Sequence, residues 1–241
     1  MIAPFEPAGY PGPRPEGPTL VHRGRAHPLE LASGGEDGPR PDAPVDAEVL
    51  DPDAVRWVVA YGSNASPGRL LDKRLDERGA LLLPAELHGW VAAYEARRTG
   101  YGSVPLTLVP QAGARLSTWL LGVHEDDVPT LDRSEGRLTS DAVDATWRDD
   151  LRHAPPGAYR LGHVGEVVVE DRWRLPDALA YLPGPRTRVQ VAPDGGWRTW
   201  PRWDQADAAT HVASGGPSRI PPPVARPVTG PWPETDLLAA G

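Results

Sequence analysis

Two short stretches of this chain combine residue types that can do chemistry. Leu131-Asp132-Arg133-Ser134-Glu135-Gly136 carries two carboxylates three residues apart, Asp132 and Glu135. If the stretch turns as a helix, that spacing sets both on one side. Burial or like-charge proximity would raise one carboxyl pKa. A raised carboxyl can hold or accept a proton near neutral pH. The same residues also make an ordinary solvated helix end. Tyr61-Gly62-Ser63-Asn64 is the other stretch. A short glycine-containing turn there would aim several backbone N–H groups, with the Ser63 and Asn64 side chains, at one small volume. A carboxylate or another small anion could be held there. Ser-Asn beside Gly is equally ordinary turn chemistry. It is not a phosphate loop, since neither the GxxxxGK spacing followed by Ser or Thr nor GxGxxG occurs in it.

These residues need elements to position them. Five of the six residues from Val55 to Ala60 are apolar or aromatic, several of them β-branched, which reads as a buried strand. After the turn, Ser66 fits a helix N-cap and Pro67 the first helical position. Leu70, Leu71 and Leu75 follow with helical spacing. Leu81 to Leu83, and the alternation around Trp90 to Tyr94, read as a strand entering a sheet. Arg97 and Arg98 close it, and adjacent residues on a strand point to opposite faces. PLTLVP and ARLSTWLLGV read as the two arms of a hairpin turning at Ala112-Gly113. Both faces of the second arm look covered, so it is expected inside the sheet. Pro129 fits an early helical position, and Gly136 ends that short helix. Val167 to Val169 and Ala178 to Leu182 read as two more strands, joined by a turn at EDRW. His163, next to glycines in this pair, fits packing or surface better than catalysis. Asp204 to Val212 reads as a helix, and Trp197, Trp200 and Trp203 as a packed aromatic patch.

The chain of 241 residues has 26 Gly and 30 Pro, concentrated near its ends. Residues 1–53 read as a Pro/Gly-rich, largely irregular N-terminal extension. Ile2, Phe5, Tyr10, Leu20 and Val21 are available in it to dock, and TLVHRG and PLELA could add short strands. Residues 54–213 form the main domain, with an acidic insertion or lid at 137–157, and 214–241 a Pro-rich tail. With 33 acidic and 25 basic residues the formal net charge is -8. Nothing there argues for general affinity for nucleic acid or an anionic membrane. The absence of cysteine excludes disulfides, a thiolate nucleophile and cysteine-ligated metal. His22 and His27 have no acidic cluster at ligand spacing beside them. No segment reads as a signal peptide or a membrane span, so a cytoplasmic location is the expectation.

Taken together, YGSN after the first core strand and LDRSEG beginning at Leu131 resemble the γ-glutamylcyclotransferase family, over about residues 55–183. Between them, PAELHGWVAAY is similar to the family's loop-then-strand segment, and VPLTLVPQAGARLSTWLLGV to its central hairpin. LDRSEG matches the family's Leu-Asp-x-x-Glu-Gly. The resemblance implies an α+β fold, a small mixed, curved or barrel-like β-sheet with peripheral helices. It implies that Glu135 is the catalytic residue and that backbone N–H groups of the Tyr61, Gly62, Ser63 and Asn64 loop hold substrate. Tyr159 and Tyr181 then correspond to the family's two pocket tyrosines. Tyr159 is displaced by the insertion at 137–157, and the N-terminal extension is not part of the usual small domain. Either could cover or reshape the pocket. Arg97, Arg98, Arg137 and Arg160 are candidates for positive charge at its mouth.

The implied reaction converts a γ-glutamyl amide to 5-oxoproline and releases an amine or amino acid. Its α-amine attacks its own γ-carbonyl, a proximity-assisted ring closure. Glu135 would take a proton from that amine and pass one to the departing nitrogen. The substrate is a small γ-glutamyl-containing molecule, and no metal or cofactor is needed. Two other readings remain open at this stage: a non-catalytic small-ligand-binding or interaction module on the same fold, and a γ-glutamyl amide hydrolase or acyltransferase.

Overall fold

The computed structural model describes residues 2–30, 52–137, 157–223, 226–234 and 237–239. Most of the 137–157 insertion therefore lies outside the described residues. In chain order the elements are β1 (Thr19–His22), β2 (Arg25–Pro28), β3 (Val55–Ala60), α1 (Pro67–Asp72), β4 (Ala80–Tyr94) and β5 (Leu106–His124). There follow α2 (Val128–Ser134), β6 (Tyr159–Val169), β7 (Trp173–Pro183), β8 (Val189–Gln190), α3 (Gln205–Ala213), β9 (Ser218–Arg219) and β10 (Leu238–Ala239). The molecule is a mixed α+β protein with one large curved sheet and few helices.

β3 lies inside that sheet, as its run of β-branched and aromatic residues predicts. It pairs antiparallel with β5 along its whole length and parallel with β7 at Val59 and Ala180. The long strand β4 pairs with β5 on one edge. Its other edge is shared, Ala80 to Leu82 pairing with β1 and Ala85 to Leu87 with β6. Because β6 also pairs with β7, the strands β3, β5, β4, β6 and β7 each have two neighbours and the path returns to its start. Such closure removes sheet edges that would otherwise be open to association. Alternate residues of β3 enter two buried clusters. Trp57 and Val59 join residues from all five ring strands, while Val58 and Ala60 join Leu70 of α1 and Leu131 of α2. Both helices are thus held against the sheet by the apolar positions read from their spacing.

One element differs from the sequence expectation. PLTLVP and ARLSTWLLGV are not two arms of a hairpin but parts of the single strand β5, whose partner throughout is β4. Pairing runs from Val123 opposite Ala80 to Leu106 opposite Tyr94, with a register shift between His88 and Trp90. Gly89 and Gly113 both sit at positive φ, 79° and 75°, at this shift. A left-handed glycine serves a tight turn or a bulge equally well. Here it bends a long strand instead of reversing it. The β6–β7 connection is a true hairpin, with Glu170 and Asp171 both at positive φ as a type I′ turn requires.

Residues 2–30 are built into the fold. β1 and β2 extend the sheet from β4, and Phe5, Tyr10, Leu20 and Leu29 are buried in the main core. TLVH forms a strand as anticipated and pairs with Arg25–Pro28, while PLELA lies partly outside the described residues. Near the other terminus, Trp232 is buried against Tyr181 and β10 adds to β7.

Gly122 of β5 makes room for the Trp57 ring. A Cβ there would sit 2.6 Å from ring carbon. Gly122→Ala is therefore expected to lower stability by about 1–3 kcal/mol, the range for overpacking a filled core. A denaturant midpoint unchanged from wild type would contradict this.

Candidate active site

β3 delivers the chain to Tyr61, and a 3-10 turn at Ser63–Ala65 leads to Ser66 and Pro67 at the start of α1. α1 has only six residues, so the loop's own groups, not a helix dipole, define this corner. Across from it α2 ends at Ser134. Glu135 is the C-cap (φ -92°, ψ 0°), and its carboxyl reaches back to the loop. The Asn64 Nδ2 donates to Glu135 Oε1 at 3.2 Å, across 71 residues of sequence. A cavity of about 70 Å³ opens here. Tyr61, Gly62, Ser63, Asn64, Glu135, Tyr159 and Tyr181 all line it.

Glu135 does not stand alone. The Lys73 Nζ donates to Glu135 Oε1 and to Asn64 Oδ1, each at 2.5 Å. Lys73 lies just past the end of α1, with a side chain only 3% exposed against 16% for Glu135. It is not among the cavity-lining residues and so backs the carboxylate from behind. Burial pushes the Glu135 carboxyl up, but the Lys73 ammonium, its hydrogen bond, Arg69 and Asn64 outweigh burial and hold it below the usual carboxylate range. Burial works the other way on Lys73, lowering it to about 8 despite the attraction of Glu135.

Asp132 does not share the cavity with Glu135. Spacing of three predicts one helical side, but Glu135 is already past the last helical residue, so the rule lapses between them. The Asp132 carboxylate instead accepts from Arg137 at 2.6 Å, from the Tyr181 hydroxyl at 2.8 Å and from the Trp232 indole. Burial raises its pKa in spite of Arg137. Asp132 therefore anchors the cavity wall. Tyr181→Phe removes a buried hydrogen bond to a charged acceptor and is expected to cost about 1.5–3 kcal/mol in denaturant unfolding. A loss below about 0.5 kcal/mol would show that Asp132 does not depend on it.

The tyrosine hydroxyls are largely committed to the protein. Tyr61 donates to the Tyr181 carbonyl at 2.5 Å and Tyr159 to the Leu106 carbonyl at 3.3 Å. Burial raises all three site tyrosines well above the ordinary phenol range, so they are neutral walls. The Gly62 and Ser63 N–H groups, by contrast, make no hydrogen bond among the described residues.

Of the four arginines anticipated at the mouth, Arg97 alone lines the cavity. Its Nε donates to the fully buried Glu95 at 2.6 Å. Arg98 is bound to the Gly102 and Ala209 carbonyls, Arg137 is held by Asp132, and Arg160 lies outside the lining. His163 pairs with Asp177 away from the cavity. Sequence reasoning missed Arg69, which lines the cavity with its guanidinium over the Phe5 and Tyr101 rings. It also missed Lys73, Tyr10 and Arg14. Arg69 and Lys73 stand four apart behind YGSN, but Lys73 is already past the last residue of α1, so no helical spacing rule singles the pair out. Among the described residues no group of three or more His, Asp or Glu could hold a metal ion. No helix among them is long and apolar enough to cross a membrane.

No protein-family profile matches this chain, and no curated protein matches it. The chain is similar to the solution structure of At5g39720.1 from Arabidopsis thaliana, at 19% identity and a TM-score of 0.39, covering 68% of this chain and 91% of that one.

Proposed function

We propose that the protein is a γ-glutamylcyclotransferase-like enzyme, with the curved sheet of that fold, acting on a small γ-glutamyl amide. One observation carries the reading: Glu135 and the Tyr61–Asn64 loop, remote in sequence, meet at one cavity within hydrogen-bond distance. The motifs that resemble the family are thus the ones that converge.

In this reading the substrate folds so that its α-nitrogen faces its own γ-carbonyl carbon. The new C–N bond closes a five-membered ring as the α-ammonium gives up a proton to Glu135. The low pKa of Glu135 is compatible with this role, because the attacking nitrogen becomes strongly acidic as the bond forms. The free N–H groups of Gly62 and Ser63 are suited to the developing oxyanion or to the substrate carboxylate. The old amide C–N bond then breaks and its nitrogen takes a proton from Glu135. Overall, two protons pass from the α-nitrogen to the leaving nitrogen. The products are 5-oxoproline and an ammonium, with no net proton taken up or released.

The Lys73–Glu135–Asn64 contacts favour a second reading, a non-catalytic module that binds a small anion. A carboxylate held this firmly could simply shape a pocket. The test offers the full chain a panel of γ-glutamyl dipeptides and γ-glutamylamines, following 5-oxoproline and glutamate separately. Catalytic appearance of 5-oxoproline supports the cyclotransferase, and free glutamate alone indicates hydrolysis. Binding without either product favours the module.

A further inference from the structure

We propose that the N-terminal segment, residues 2–14, is a working part of this site and that Arg14 is the positioning residue of the Tyr61–Asn64 loop. The inference rests on the reading of that loop as the group that holds the carboxylate or oxyanion.

Arg14 forks onto two successive backbone carbonyls, Nη1 donating to Gly62 O at 2.6 Å and Nη2 to Tyr61 O at 3.1 Å. In a planar trans peptide the N–H points opposite to the C=O. The Tyr61 carbonyl shares its plane with the Gly62 N–H, and the Gly62 carbonyl with the Ser63 N–H. Holding both carbonyls on one side therefore turns both N–H groups to the other. Gly62 and Ser63 line the cavity and Arg14 does not, so the arginine grips the loop from behind. A planar guanidinium offers two separate parallel donors for this paired contact, whereas a lysine ammonium would have to reach both carbonyls from one nitrogen. Arg14 is itself fixed, its guanidinium 5.5 Å from the Trp200 ring centroid. Burial lowers it to about 10, so it is cationic at neutral pH.

The rest of the segment is fitted to the same corner. Tyr10 lines the cavity and accepts the Leu106 N–H at 2.9 Å. The Ala3 carbonyl approaches Gly68 so closely that a Cβ on Gly68 would lie 2.5 Å from it. Phe5 covers the Arg69 guanidinium. The polar contacts from the segment to the loop itself are those of Arg14, and an added segment that merely shielded the core would not need them.

The experiment compares wild type, Arg14→Ala and Arg14→Lys as full chains. It reads the amide NMR signals of Gly62 and Ser63 without ligand, the affinity for added L-5-oxoproline, and kcat and KM for the best γ-glutamyl substrate. Arg14→Ala is expected to move both amide signals and weaken 5-oxoproline binding. It should also lower kcat by about 10–100-fold, the scale of a misaimed group. Arg14→Lys is expected to fall between Arg14→Ala and wild type in each readout. Unmoved Gly62 and Ser63 signals in a folded Arg14→Ala variant would overturn the proposal whatever the activity. So would moved signals with unchanged 5-oxoproline affinity and unchanged kcat. If wild type binds 5-oxoproline but never forms it, the cyclotransferase reading fails, while the amide and affinity readouts still decide the role of Arg14.

Discussion

Glu135→Gln is expected to lower kcat for 5-oxoproline formation by at least about 100-fold, the contribution typical of a positioned acid–base group. Glutamine keeps the size of the side chain and an oxygen to accept from Lys73 and Asn64, so the loop and α2 retain their contacts. Affinity for a γ-glutamyl ligand is expected to survive in large part, because the loop N–H groups are untouched. The result to look for is a collapse of kcat with a modest change in KM. Equal turnover by wild type and variant would remove Glu135 from the chemistry.

Lys73→Met is the second large effect, and its sign is set by pH. In the wild type the folded pKa of Glu135 is depressed. Its contribution to stability is therefore present above the unfolded carboxyl pKa and lost as pH falls through the folded one. Methionine removes the nearest cation and leaves a largely buried carboxylate with the Asn64 hydrogen bond and the Arg69 charge still favouring its ionised form. Burial then dominates and lifts the folded pKa above the unfolded one. The variant is expected to be less stable by about 3 kcal/mol at neutral pH, the scale of breaking a buried pair. It should recover part of that loss on acidification, where the carboxyl is protonated in both states. The two proteins thus respond oppositely to acid at this site. The acid limb of the pH–rate profile should also move to higher pH in the variant. Parallel stability curves between pH 4 and 8 would mean that the ammonium does not control Glu135.

Much of this arrangement was legible where the signal was local. The β-branched run from Val55 to Ala60 declared a strand buried on both faces. Pro67 and Gly136 marked a helix start and a helix end, because their backbone preferences act within a residue or two. The convergence of YGSN with LDRSEG came from the paired motifs. What was not legible depends on contacts between distant segments. Nothing near Lys73 announces that it will meet Glu135, 62 residues away. Nothing around Arg14 announces the carbonyls of Tyr61 and Gly62. The N-terminal segment is rich in Pro and Gly, which argues against regular elements but not against an ordered path over a core. Ala112-Gly113 misled for a different reason. A left-handed glycine fits both a hairpin turn and a bulge, and the choice was made by the length of β4 available to pair with β5. Asp132 misled because a helical spacing rule was carried one residue past the helix.

If the γ-carbonyl is attacked by the substrate's own nitrogen and not by water, no solvent oxygen enters the product. Turnover of a γ-glutamyl dipeptide in water enriched in oxygen-18, with mass analysis of the products, tests it directly. Wild type is expected to form 5-oxoproline with no heavy oxygen, and Glu135→Gln to form it at least about 100-fold more slowly. Glutamate carrying one heavy oxygen in its γ-carboxyl, formed by wild type in place of 5-oxoproline, would contradict attack by the substrate's own nitrogen.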